Sequence, residues 1–162
     1  RRMRWLTVKP AAGYCIQKNK MGVTMDKLVI YADGGSRGNP GDAGIGVAIF
    51  DDNDELVAQI SRYIGTQTNN VAEYYALIRG LEEAITLGAG RVDVFMDSEL
   101  VVKQIKGEYQ VKNEGLKPLY EIAKAYLERF DGYSINHIGR NGNKLADKLA
   151  NDGMDSKNSQ IV

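Results

Sequence analysis

The chain has 162 residues, 43% of them hydrophobic, which is enough for one real core and too little for several domains. Of its 21 bases and 21 acids, six bases and no acid lie in residues 1–25, leaving 15 bases against 21 acids in the body. A body that acidic excludes a phosphate grip built on lysine and arginine alone, unless bound cations supply the positive charge. Cys15 is the only cysteine, so an internal disulfide and a thiolate zinc cluster are excluded, and a reducing, cytoplasmic setting is the default. No apolar run reaches the length of a membrane span, and none has the form of a secretory signal.

Residues 1–24 mix basic and apolar side chains without period and read as an irregular, non-native leader. The alternative is a basic arm that touches nucleic acid, with Trp5 or Tyr14 free to stack on a base. Removing residues 1–24 without changing the Michaelis constant would dismiss that arm.

From residue 25 the elements are legible. Leu28-Val29-Ile30-Tyr31-Ala32 predicts a strand, followed by a loop over Asp33–Gly41, where turn residues crowd together. Gly44–Phe50 and Glu55–Tyr63 predict two further strands joined at Asp51–Asp54. Thr68-Asn69-Asn70 caps a helix whose apolar positions Val71, Tyr75, Ile78, Leu81 and Ile85 recur at helical spacing until Gly88. Val92–Met96 predicts a buried strand ending at Asp97, and Ser98 opens a helix through Ile105. A second amphipathic helix gathers Leu119, Ala123, Tyr126, Leu127 and Phe130, and Tyr133–Ile138 is the last strand. Asn143 is placed to cap a closing helix that buries Leu145, Leu149 and Ala150. Three strands followed by alternating helices and strands predict a single α/β domain with a mixed sheet, spanning 25–152, and a tail over 153–162.

Four acids stand among apolar residues at element ends: Asp33, Glu73, Asp97 and Asp147. Strand ends in open α/β sheets gather ligands, which brings Asp33 and Asp97 together. Carboxylates held close repel one another unless a cation neutralises them, and an oxygen-only donor set suits Mg²⁺ or Mn²⁺ rather than zinc. Each acid alone reads more readily as a helix cap or a solvated charge than as a ligand. The glycine run Gly34–Gly41 lacks the spacing of a dinucleotide-binding loop, which removes a nucleotide-dependent oxidoreductase from the field.

The segments Tyr-Ala-Asp33-Gly-Gly-Ser, Thr68-Asn-Asn-Val-Ala-Glu73-Tyr, Met-Asp97-Ser-Glu-Leu-Val and Asn143-Lys-Leu-Ala-Asp147-Lys-Leu-Ala resemble the four signature segments of type 1 ribonuclease H, in that family's order and spacing. The resemblance covers residues 26–152. It implies a ribonuclease H-like fold with a five-stranded mixed sheet flanked by helices. It also implies a metal-binding tetrad of Asp33, Glu73, Asp97 and Asp147, holding two Mg²⁺ ions for which Mn²⁺ substitutes. The implied activity is hydrolysis of the RNA strand of RNA–DNA hybrids, leaving 5′-phosphate and 3′-hydroxyl ends. Asp33 would bridge the ions; Asp147 would serve the nucleophile side and be the cheapest of the four to replace.

Further roles follow only from the resemblance. His137, the one histidine, lies ten residues before Asp147 and would move protons or help product leave. Gly34, Gly35 and Ser36 would let the backbone approach the groove, with Asn39 and Asn70 facing it. Thr68 would line a pocket for a DNA-strand phosphate. Glu99 replaces a glutamine that many relatives carry, so it accepts but cannot donate at a base edge. Asn143 would support the site from behind. The basic insertion of many bacterial relatives is missing between Lys106 and Leu116, which predicts weaker grip and admits double-stranded RNA as a second substrate. The rival readings are a ribonuclease H domain cut from a reverse transcriptase, and a catalytically weak or inactive module that binds hybrid or double-stranded RNA. The partner is thus RNA–DNA hybrid, with no membrane and no obligate protein partner, and the protein is expected to be a monomer.

Overall fold

A computed structural model describes residues 26–158. The expectations for residues 1–24 therefore lie outside the described residues. Five strands form one sheet: β1 (Lys27–Gly38), β2 (Gly41–Phe50), β3 (Leu56–Gln67), β4 (Arg91–Met96) and β5 (Gly132–His137), in the order β3-β2-β1-β4-β5. Strands β3, β2 and β1 pair antiparallel, whereas β4 and β5 extend the sheet parallel to β1. Four helices accompany them: α1 (Asn69–Thr86), α2 (Glu99–Ile105), α3 (Lys117–Leu127) and α4 (Lys144–Asp155). This is the mixed five-stranded α/β architecture expected from the sequence. Among the described residues, no helix is long and apolar enough to cross a membrane.

Strand alternation sorts the two faces of the sheet. Leu28, Ile30 and Ala32 of β1 are fully buried in one cluster with Leu77 and Leu81 of α1 and with Leu119 and Leu127 of α3. Val29 and Tyr31 point to the other face, where α4 packs on β1, β2 and β3. Strand β2 lies between α1 and α4, so all of Ala43–Ile49 is buried. A strand covered on both faces reads as a continuous small and apolar run, and Ala-Gly-Ile-Gly-Val-Ala-Ile does so here.

The structure corrects the reading of the glycine-rich segment after Ala32. It is not a loop: β1 continues to Gly38 and pairs residue for residue with β2, Gly38 opposite Gly41. The glycines are there because helices touch the strands at backbone distance. A Cβ on Gly34 would lie 2.2 Å from the Ala72 carbonyl oxygen of α1, and one on Gly46 would lie 2.1 Å from the Ala146 oxygen of α4.

Helix α4 brings further corrections. It runs to Asp155 with Gly153 and Met154 buried, so the expected tail boundary at 152 falls inside a packed helix. It buries Ala146, Leu149 and Ala150, but Leu145 remains 37% exposed. Asn143 holds the N-cap position without making a cap bond. Its side-chain amide instead donates to the Ala32 carbonyl at 3.0 Å, tying the start of α4 to β1 one residue before Asp33.

Candidate active site

Ala32 is in register with Met96, so Asp33 and Asp97 emerge side by side where β1 and β4 run parallel. Thr68 caps α1, its hydroxyl accepting from the Val71 amide at 3.3 Å, and that cap sets Glu73 one turn in. Because Gly34 presses against α1, the Gly34 amide reaches the Glu73 carboxylate and donates to it at 3.1 Å. Next to Glu73, the buried Tyr74 hydroxyl bonds the Gln104 side chain at 2.6 Å, locking α1 to α2, the helix that follows Asp97.

Three carboxylates converge as a result. Asp33, Glu73 and Asp97 each offer an oxygen within 4.8 Å of the other two. Asp147, in the first turn of α4, is exposed and stands outside that tight trio. It nevertheless lines the same open cleft of about 150 Å³ and is near enough to act on the Asp33 carboxyl.

The cluster is electrostatically unfavourable by itself. Asp33 is only 7% exposed and Glu73 6%. Burial, then the charge of Asp97 and the hydrogen bond and charge of Asp147, push the Asp33 carboxyl up to about 8. Burial likewise lifts Glu73 well above the usual carboxylate range, helped by the charges of Asp33 and Asp97; the Gly34 amide and Arg140 pull the other way. Four oxygen donors that cannot all ionise together fit a site for hard divalent cations, which would supply the missing positive charge.

The other expected residues divide into groups. Gly34 and Gly35 line the cleft. Ser36 does not: its amide donates to the Asn69 side chain at 3.2 Å and its hydroxyl to the Gly38 carbonyl. Asn39, Thr68 and Asn70 meet in a second pocket of about 320 Å³, walled by Asn113, Gly115 and Leu116. His137 ends β5 on the exposed surface, near enough for its charge to act on the Glu99 carboxylate. Glu99 itself pairs through Oε2 with Lys103 at 3.0 Å, which holds its carboxyl below the usual range. Asn143 is 1% exposed and acts through its tie to β1.

Several lining residues were not singled out from the sequence: Asn69, Arg140, Asn151 and Met154 in the cleft, and Asn113 in the second pocket. Asn69 bridges the two pockets, accepting from the Ser36 amide while its own amide donates to Asn39 Oδ1 at 3.0 Å. A run of asparagines at a helix start was the available signal. Arg140, in a single 3₁₀ turn (Arg140–Gly142) before α4, carried none.

A family model described as reverse transcriptase-like matches residues 31–153. A ribonuclease H of Ruthia magnifica is 34% identical over 146 residues, spanning 81% of this chain and 97% of that protein. The chain belongs to the type 1 ribonuclease H family. The bifunctional protein Rv2228c of Mycobacterium tuberculosis is 47% identical over 131 residues, and this chain spans only 36% of that relative's length. LC11-RNase H1, solved in complex with an RNA/DNA hybrid, superposes with a TM-score of 0.76 at 43% identity, covering 80% of this chain and 98% of that one. Ribonucleases H need a divalent metal, and the acidic cluster is the group of described residues suited to hold it.

Proposed function

We propose that this protein is an endoribonuclease that hydrolyses the RNA strand of RNA–DNA hybrids, leaving 5′-phosphate and 3′-hydroxyl ends. The observation that carries the reading is the convergence of Asp33, Glu73 and Asp97, with Asp147 beside them, in one open cleft. The hybrid bound to LC11-RNase H1 supports the substrate class.

Asp33, Glu73, Asp97 and Asp147 would hold two Mg²⁺ ions, with Mn²⁺ able to substitute, because all four offer hard oxygen ligands. Bound there, the cations supply Lewis acidity and charge neutralisation at the scissile phosphate. The chain supplies the rest. Gly34 and Gly35 bring backbone to the cleft wall without side chains, suiting a shallow groove in which only the RNA strand presents 2′-hydroxyls. Thr68, Asn39, Asn70 and Asn113 form an uncharged polar pocket beside the cleft for a phosphate of the DNA strand. His137, on the exposed end of β5, is free to move a proton at the leaving oxygen, and an imidazole does so near neutral pH. One copy of the chain supplies all four carboxylates, and a monomer would suffice for this activity. A lone cysteine suits the reducing cytoplasm, which is where this reading places it.

The test is a panel of labelled RNA–DNA hybrid, duplex RNA, duplex DNA and single-stranded RNA. Each is incubated with Mg²⁺, with Mn²⁺ or with chelator, for the wild type and Asp33→Asn. Metal-dependent cutting of hybrid RNA, lost in the variant, is the expected result. Cutting of duplex RNA as well would widen the substrate, and failure to cut with either metal would overturn the reading.

A further inference from the structure

Asp33, Glu73 and Asp97 sit at the corners of a triangle whose sides are held by different contacts. Gly34 seats α1 against β1 and its amide reaches the Glu73 carboxylate, which sets Glu73 relative to Asp33. The parallel pairing of β1 with β4 sets Asp97 relative to Asp33. The third side, from Glu73 to Asp97, is closed by a hydrogen bond inside the core. Tyr74 is fully buried and Gln104 is 4% exposed, and the Tyr74 hydroxyl donates to Gln104 Oε1 at 2.6 Å. Tyr74 belongs to one apolar cluster with Leu77 of α1 and with Val101 and Ile105 of α2, where two more apolar side chains would bury equally well. Apolar contact has no direction, and helices held by it alone are free to roll and slide on one another. A hydrogen bond fixes distance and angle as well.

Glu73 and Tyr74 are consecutive in α1, so their side chains leave the helix about 100° apart. One faces the cleft and the other enters the core, so any roll of α1 that moves Glu73 also moves the Tyr74 hydroxyl. Gln104 lies on the last turn of α2, and the N-cap of that helix, Ser98, follows Asp97 directly. The Ser98 hydroxyl accepts from the Val101 amide at 3.3 Å, which joins Asp97 closely to the helix. A helix of seven residues shifts as a rigid body, so a slide at Gln104 is felt at Asp97. We propose that the Tyr74–Gln104 bond is a positioning device that sets the spacing of the Glu73 and Asp97 carboxylates, and with it the affinity of the cluster for divalent cations. The inference rests on the reading of that cluster as a metal site. Neither side chain lines the cleft; Tyr74 acts through α1 and Gln104 through α2.

Calorimetric titration of the metal-free full chain with Mg²⁺ reads affinity without substrate. Tyr74→Phe leaves Gln104 Oε1 without its donor, and Gln104→Leu leaves the Tyr74 hydroxyl without its acceptor. Each should lower the thermal midpoint by a few degrees, because a buried polar atom is left unpaired. The double variant Tyr74→Phe/Gln104→Leu replaces both partners by apolar groups and should regain most of that midpoint. Its Mg²⁺ dissociation constant should nonetheless stay raised, by roughly tenfold, as for other groups that orient metal ligands from behind. Saturating Mg²⁺ should restore its cleavage of hybrid, with the KM for hybrid unchanged. Wild-type Mg²⁺ affinity in the double variant would overturn the proposal and reduce the bond to core packing. Absence of Mg²⁺ binding by the wild type would overturn the metal site and this inference together. Weakened Mg²⁺ binding in the double variant, beside a wild type that binds Mg²⁺ but cuts no hybrid, would uphold the positioning role while the proposed function falls.

Discussion

Asp33 and Glu73 differ from Asp97 and Asp147 in one respect that orders their behaviour: the first pair is buried and the second reaches solvent. Asp33 comes from a central strand and Glu73 from a helix pressed against it, so neither can turn to water without breaking the core. Asp97 sits at a strand end and Asp147 on the outer face of α4. A buried carboxylate is held in position by the fold and is destabilising unless neutralised. A solvated one is stable alone but is positioned less strictly. The fold thus gives up stability at one end of the site to gain carboxylates fixed in position there.

The largest effect expected from this contrast is Asp33→Asn. Hybrid cleavage should fall by roughly a thousandfold or more, since neutralising a central ligand removes several kcal/mol of charge stabilisation from the transition state. The same substitution should raise the thermal midpoint of the metal-free protein near neutral pH, because folding no longer has to protonate a carboxyl that is ionised in the unfolded chain. Paired melting and kinetic assays check both; lower stability together with lost activity would mean that Asp33 is structurally required instead.

The pH dependence follows from the same group. Asp33 has a folded pKa of about 8 against roughly 4 unfolded, so the folded state holds the extra proton between those values. The contribution of Asp33 to the stability of the metal-free protein is therefore full below about pH 4 and is lost as pH rises towards 8. A fall in melting temperature of at least about 4 °C across that window is expected, flattened in Asp33→Asn and abolished by saturating Mg²⁺. A metal-free melting curve that rises over that range would contradict the account.

Gly34→Ala should come next, because it disturbs the means by which the buried pair is assembled. Its Cβ would meet the Ala72 carbonyl at 2.2 Å, so β1 and α1 must separate, costing about 1–3 kcal/mol and displacing Glu73. Gly107→Ala is the control: its backbone is left-handed at φ 83° with nothing within 4 Å, so it should cost only about 1 kcal/mol and spare activity.

These positions also show what the sequence makes legible. The strands and helices with clean periods were readable, and the four carboxylates were placed by their segments at element ends. Three features were not readable, each for a physical reason. Glycines in a doubly covered strand look like turn residues, because periodicity cannot register a helix backbone lying where a side chain would be. Asn143 follows the N-cap pattern, yet a partner 111 residues away outcompetes the local bond. Arg140 sits in a 3₁₀ turn of three residues, too short for any period of side-chain direction to show.

Asp147→Asn should cost less than Asp33→Asn, on the order of ten- to a hundredfold in kcat/KM, with metal-free stability raised less than by Asp33→Asn. Its carboxylate is already solvated, and water can replace part of a ligand role there. Equal losses at Asp33 and Asp147 would erase the distinction between the buried and open pairs.

Arg140→Ala tests the contrast at its finest grain. Arg140 is exposed, yet it is the cation whose charge holds down Glu73 across the cleft. Without it, Glu73 keeps its proton to higher pH and metal binding must compete with that proton. Cleavage should drop only severalfold near neutrality, because an exposed charge is well screened. The acid limb of the pH–rate profile should move upward, and higher pH or more Mg²⁺ should restore most of the rate. A loss of the same size at every pH would mean that Arg140 acts on the substrate phosphate instead, leaving the Gly34 amide to oppose the rise of Glu73.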